Sequence, residues 1–204
     1  MVVRKFFFGL TGNIGSGKST VAKMLAEWPD VAVYDGDTMA KEIMARPGNA
    51  KRIQKILDDD VLLDGKLDFK AMGKIVFNDT TKLRALENFV HPLVFDEFKE
   101  RARKSIALMN IFEAAIIYES RKENEFDAMI VVHCEEEVAI ARAIARDRCK
   151  TSDREIRKRA ALQTPSQDKM NMADFYIDSN CDMEHLRDRT TWLYKQLVEF
   201  CNGQ

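Results

Sequence analysis

Apolar positions along the chain fall into two rhythms that alternate. Lys5 to Thr11 carries Phe6-Phe7-Phe8 and Leu10 in a nearly continuous apolar run, as expected of a strand covered on both faces. From Lys18 to Trp28 the apolar Val21, Met24 and Leu25 recur at helical spacing, and Pro29-Asp30 ends that helix. Val31 to Tyr34 predicts a second short strand. Thr38 to Ala45 predicts a helix that breaks at Arg46-Pro47-Gly48. From Ala50 to about Leu108 the pattern is helical and polar, with no strand signal between its helices. Leu62-Leu63-Asp64-Gly65-Lys66-Leu67 reads as a turn between two of them. His91-Pro92 reads as a helix stop and restart, with His91 a cap or a packed ring.

Strand character returns over Asn110 to Ile117, and Ala128 to His133 is a clearer buried strand. Glu135 to Arg148 predicts a helix whose acidic start and basic end suit the helix dipole. Thr151-Ser152-Asp153 reads as the N-cap region of a helix running to about Gln163. Phe175 to Ile177 predicts a last short strand, and Met183 to Phe200 an amphipathic helix. Strands alternating with helices imply an α/β fold with a parallel sheet and right-handed crossovers. The 204 residues suffice for one such domain, and the polar helical stretch is expected as a lobe inserted into it.

Charge and composition narrow the chemistry. The formal net charge of -1 supplies no global field toward nucleic acid or a membrane surface, so neither is expected as a partner and anion recognition must be local. The apolar run near the start ends at Gly9, too short for a signal peptide or a span. A cytoplasmic protein is the expectation. Cys134, Cys149, Cys181 and Cys201 are scattered without the two-residue spacing of a metal or redox motif; they are expected to be reduced thiols.

The sharpest chemical signal is Gly12-Asn13-Ile14-Gly15-Ser16-Gly17-Lys18-Ser19, a Gly-x4-Gly-Lys-Ser string placed after a buried strand and at the opening of a helix. Such a loop turns backbone N–H groups inward and, with the helix N-terminus, forms a nest for the α- and β-phosphates of a nucleotide. Lys18 is then expected to reach the β- and γ-phosphates, and the Ser19 hydroxyl to ligate Mg²⁺. The bland alternative is a glycine-rich turn with an incidental lysine. The Asn-Lys-x-Asp string with which GTPase switches read guanine does not occur, which favours a kinase using ATP and Mg²⁺ over a switch.

Three further groups are candidates for the reaction. Asp35 and Asp37 follow the second strand, and in an extended chain they would face the same way, at the sheet edge where α/β folds bind ligands. There a carboxylate accepts an acceptor hydroxyl's proton or holds water on Mg²⁺; alternatively the segment is a solvated turn in which Asp37 caps the helix from Thr38. Glu113 is a second water-mediated Mg²⁺ candidate, or else an edge-facing surface carboxylate. Arg142 and Arg146 share a helix face, with Arg148 nearby. They either fold over the nucleotide to neutralise transferring charge or form a solvated basic face paired with Glu135 to Glu137.

Taken together, the following pieces resemble a known family. They are Gly9 through Thr20, Asp35-Gly36-Asp37 followed by Ala40, Leu67-Asp68 and Ile75 through Asp79 ahead of His91-Pro92, and Arg142 with Arg146-Asp147. Arg159 and Gln163, Lys169, and Ala173-Asp174 through Asn180 complete the series. In this order they resemble the dephospho-coenzyme A kinases over nearly the whole chain. The resemblance implies the three-layer P-loop NTPase fold with a central parallel five-stranded sheet. It also implies a helical acceptor-binding lobe at about 50–108 and a helical lid at about 140–165. The implied reaction moves a phosphoryl group from ATP to the ribose 3′-hydroxyl of dephospho-coenzyme A. Asp37 matches the family's proton acceptor, and Arg142 and Arg146 its lid arginines near the nucleotide. Two positions depart from the pattern. Ala115-Ile116-Ile117-Tyr118-Glu119 stands where the family usually has Pro-Leu-Leu before a Glu, and Met170 stands where it often has a basic residue. The competing readings are a nucleoside or deoxynucleoside monophosphate kinase, and a nucleotide-binding module without turnover.

Overall fold

Phe6, Phe8 and Leu10 alternate onto one face of β1 (Phe6–Thr11) and are buried there together with the apolar side of α1 (Lys18–Leu25). The chain continues through β2 (Val31–Asp35), α2 (Gly36–Met44), α3 (Pro47–Leu57), β3 (Leu62–Leu63), β4 (Lys66–Leu67), α4 (Phe69–Asn78) and α5 (Thr80–Lys104). It then forms β5 (Met109–Glu113), β6 (Ala128–His133), α6 (Glu136–Arg146), α7 (Asp153–Ala161), α8 (Ser166–Asn171), β7 (Phe175–Asp178) and α9 (Met183–Asn202). This computed structural model describes residues 4–146 and 153–204. Asp147, Arg148, Cys149, Thr151 and Ser152, named above as site, thiol or cap residues, lie outside the described residues.

The chain divides into two compact units. The larger runs to Tyr34 and resumes at Ser105. Its centre is a five-stranded parallel sheet in the order β2-β5-β1-β6-β7. β1 pairs in parallel with β5 on one side and β6 on the other, and β6 pairs in parallel with β7. Central strands with both faces covered favour apolar residues; β6 is apolar from Ala128 to Val132, while β5 is buried throughout and carries the polar Asn110 and Glu113 within it. α9 packs on α1 and β7. Its Phe200 ring meets Phe8 edge-on at 5.8 Å, and Tyr194 stacks on Trp28 at 4.3 Å between ring centres. In this order the carboxyl ends of β1, β5 and β6 are neighbours, and the loops after them can share one site.

The smaller unit, Asp35–Lys104, holds α2 to α5 and the β3–β4 ladder. α5 is its spine and packs against α2, α3 and α4. Two expectations are corrected within it. Leu62 to Leu67 is an antiparallel hairpin rather than a bare turn. Asp64 (φ 50°) and Gly65 (φ 75°) take the left-handed values that a two-residue hairpin turn needs, and Asp-Gly is the pair best suited to them. His91-Pro92 does not interrupt a helix: α5 is continuous, with Pro92 inside it. Leu86 and Val90 before the proline and Val94, Phe95 and Phe98 after it are all buried, and that common burial offsets the hydrogen bond the proline ring removes. In the larger unit, β5 ends at Glu113 and the residues up to Lys122 form turns rather than extending the strand to Ile117.

Candidate active site

β1 ends at Thr11 and α1 starts at Lys18, so the phosphate-loop motif spans the connection between them. Gly17 (φ 85°) is the N-cap of α1 and Gly15 has φ 76°, conformations that L side chains resist. A Cβ on Gly15 would also overlap the backbone carbonyl oxygen of Ala139 in α6. No side chain caps α1, and its first turn contains no acidic residue. Its positive end is therefore left for an external anion.

Segments remote in sequence brace this loop. The Ser179 hydroxyl donates to the Ser16 carbonyl at 2.7 Å. Asn13 Nδ2 donates to the Thr164 carbonyl at 3.1 Å, and the Ile14 N–H donates to Gln163 Oε1 at 2.9 Å. The Ile14 side chain packs with Ile140, Ala143 and Ile156 instead of facing the cleft. Gly12 lies so close to the Val132 carbonyl that a Cβ there would press on it.

Lys18 Nζ stands 3.2 Å from Glu113 Oε1, and the Ser19 hydroxyl donates to that same oxygen at 2.7 Å. Glu113 is buried at the carboxyl end of β5, which excludes the surface-carboxylate alternative. Gly15 to Thr20, with Lys23, Arg142 and Arg146, line a cleft of ≈ 260 Å³. Arg142 does not pair with Glu135 to Glu137. Its guanidinium donates to Ser179 Oγ (3.1 Å), to the Ser179 carbonyl (2.9 Å) and to the Cys181 carbonyl (3.4 Å). Glu137 pairs instead with Arg157 at 2.9 Å. The solvated-face reading of Arg142 is thereby removed. A larger cavity of ≈ 380 Å³ opens beyond Asn13 and Ile14, but its wall includes Glu135 and Glu136 and no lysine or arginine among the described residues. A triphosphate therefore suits the smaller, cationic cleft.

Asp35 and Asp37 belong to the smaller unit. The extended backbone expected across them ends at Asp35, and α2 begins at Gly36. Asp35 is the N-cap, accepting from the Thr38 N–H at 3.0 Å, and Asp37 sits in the first turn of the helix. The capping role expected of Asp37 is thus filled by Asp35, leaving the Asp37 carboxylate outside that bond.

Other residues at the site carry no periodic signal in sequence. Lys169 is fully buried, 2.9 Å from Glu119 Oε1 and 2.9 Å from the Ala115 carbonyl. Burial pushes its ammonium below the ordinary lysine pKa, the Glu119 carboxylate opposes that shift, and the Lys18 charge adds to it. Burial likewise lifts the Tyr118 phenol to about 12 and raises the Cys134 thiol. Cys134, Cys181 and Cys201 are free thiols.

Among the described residues no cluster of three or more His, Cys, Asp or Glu is able to hold a metal ion by itself. The Ser19 hydroxyl beside Glu113 nonetheless fits Mg²⁺, a cation that keeps much of its water shell and takes few protein ligands beside substrate phosphates. Also among the described residues, no helix is long and apolar enough to cross a membrane.

Known proteins share these features over the same span. The family model for dephospho-CoA kinase matches residues 6–185. A dephospho-CoA kinase of Bdellovibrio bacteriovorus is 36% identical over 202 residues, covering 96% of this chain and 98% of that protein. One from Chlorobaculum tepidum is 35% identical over 200 residues, covering 93% and 94%. Among solved structures, Thermus thermophilus TT1252 superposes with a TM-score of 0.83 at 30% identity, covering 96% of this chain and 98% of that one. Dephospho-CoA kinase from Campylobacter jejuni gives 0.70 at 25% identity, covering 95% and 97%. Shikimate kinase from Acinetobacter baumannii, at 15% identity and 0.56, shares the fold alone. With the match running from the first strand into the last helix, and relatives above the 30% level over nearly their full length, the chain belongs to the dephospho-CoA kinase family.

Proposed function

We propose that this protein transfers the γ-phosphoryl group of ATP to the ribose 3′-hydroxyl of dephospho-CoA, giving ADP and CoA. The observation that carries the reading is the shared contact of Lys18 and Ser19 with buried Glu113 beneath the open end of α1. In this reading the loop from Gly12 to Ser19 wraps the α- and β-phosphates. Lys18 leaves Glu113 for the outer phosphates, where its charge follows the transferring group. Arg142 and Arg146, on the wall of the same cleft, offset charge as the bond to the β–γ bridging oxygen breaks. The region about 140–165 acts as the lid and 50–108 as the acceptor lobe, keeping bulk water from the donor. Asp37 accepts the 3′-hydroxyl proton while the new P–O bond forms.

Ser19, with Asp35 and Glu113 acting through water, would hold Mg²⁺. Held by these residues, Mg²⁺ would supply electrostatic neutralisation of the phosphate charge.

The test is mass-spectrometric detection of CoA from purified protein, ATP·Mg²⁺ and dephospho-CoA, run beside a panel of nucleoside monophosphates. CoA is expected, and no CoA at high enzyme concentration overturns the reading. Asp37→Asn is expected to bind ATP normally and to lose roughly 10²- to 10⁴-fold in rate. Full transfer by that variant would remove the proton-acceptor role.

A further inference from the structure

Among the described residues Lys169 is the one charged side chain with no exposed surface. A buried ion pair seldom stabilises a fold more than an apolar pair of the same size, so its contacts need another explanation. They form a connected path. Lys169 Nζ holds the Glu119 carboxylate and the Ala115 carbonyl, each at 2.9 Å. The same Glu119 oxygen accepts from the Thr164 N–H at 2.8 Å. The Thr164 carbonyl takes Asn13 Nδ2 at 3.1 Å, and neighbouring Gln163 takes the Ile14 N–H at 2.9 Å. The Ala115 carbonyl also accepts from the Thr11 hydroxyl at 3.2 Å, at the β1 root of the phosphate loop.

We propose that Lys169 is a positioning residue for the nucleotide: by clamping Glu119 and the Ala115 carbonyl it fixes Gln163 and Thr164, and these fix the Asn13–Ile14 corner of the phosphate loop. The proposal rests on the kinase reading above. An apolar residue cannot replace the lysine in this role, because it donates to neither oxygen. Without the ammonium, the buried carboxylate loses its charged partner and turns toward water, taking the Thr164 N–H contact with it. The loop corner is then free to sample geometries that do not fit phosphate. The relay ends on the Asn13–Ile14 corner of the phosphate loop, so donor binding is the property it should change.

The experiment compares the parent chain with Lys169→Met and Gln163→Ala. Calorimetry reads the Kd for ADP·Mg²⁺, and steady-state kinetics reads both KM values. Each variant is expected to raise the ADP Kd and the ATP KM about tenfold, the effect of one or two lost hydrogen bonds. The KM for dephospho-CoA should stay at the parent value. A role confined to stability would instead lower the folded fraction and kcat and leave both KM values alone. Gln163 is only half-buried, so its variant should fold even where Lys169→Met does not, and it then decides the matter. Parent-like ADP affinity in both folded variants, or in Gln163→Ala alone should the lysine variant not fold, overturns the relay. A parent chain that takes up no ADP would sink the kinase reading and the relay with it, so the two failures are distinguishable.

Discussion

At Gly15 the backbone of the phosphate loop runs against the carbonyl of Ala139, with φ at 76°. A side chain there meets two penalties. The left-handed conformation costs an L residue about 1–2 kcal/mol, and the new Cβ collides with a main-chain oxygen anchored in α6, which moves only with its helix. Gly15→Ala should therefore displace the loop and leave the sheet in place. The expected outcome is loss of ADP·Mg²⁺ heat in calorimetry together with a retained far-ultraviolet circular dichroism spectrum. Parent-strength ADP binding in that variant would show that the loop relaxes without consequence. This is also the scale at which sequence reading was strongest and weakest. Gly12 to Ser19 is contiguous and its chemistry follows from spacing alone. Its partners Ser179, Gln163, Thr164 and Glu113 lie between about a hundred and a hundred and sixty residues away, and no spacing rule joins them to it. Glu113 is a candidate from its place on a predicted strand, and Gln163 and Ser179 enter only through the family resemblance; Thr164 carries no signal of its own.

Among elements, the readable ones were those whose burial is continuous. β1, β6 and α9 reproduce the pattern within two residues at each end, since covered strands and a long amphipathic helix leave strong periodic traces. The β3–β4 ladder has two residues per strand, too few to show alternation, and only its Asp-Gly pair marked it. α8 is short and polar, and its one fully buried side chain is the charged Lys169, so no hydrophobic rhythm exposed it. α5 departs from its pattern for a different reason: a proline reads as a breaker unless tertiary burial on both sides outweighs it. That leaves a measurable cost inside α5. Pro92 is exposed and removes the bond to the Asn88 carbonyl. Pro92→Ala should restore that bond and raise stability by about 1–3 kcal/mol, read as a higher urea midpoint at constant m-value. A lower midpoint would mean that the ring packs or bends α5 in a way the fold depends on.

For the whole molecule, a formal net charge of -1 coexists with a cleft lined by Lys18, Lys23, Arg142 and Arg146. Attraction for a triphosphate is thus local, and ligand binding rather than net charge should govern how stability responds to solution conditions. A ligand that binds only the folded state stabilises it by about 2.7 kcal/mol at a hundred times its Kd. For a chain of about two hundred residues each kcal/mol moves Tm by about 2–4 °C, so saturating ADP·Mg²⁺ should raise Tm by roughly 5–10 °C. Lys18→Ala removes the cation proposed to reach the outer phosphates yet leaves Glu113 its contact with the Ser19 hydroxyl. Glu113 nonetheless loses its paired cation, so the ligand-free Tm should fall by several degrees, and most of the ADP-induced rise above that new baseline should disappear. Added salt should shrink the parent's rise, because the cleft is open enough for screening to reach it. A rise that survives Lys18→Ala intact would place the nucleotide somewhere other than the cleft between Gly15 and Arg146.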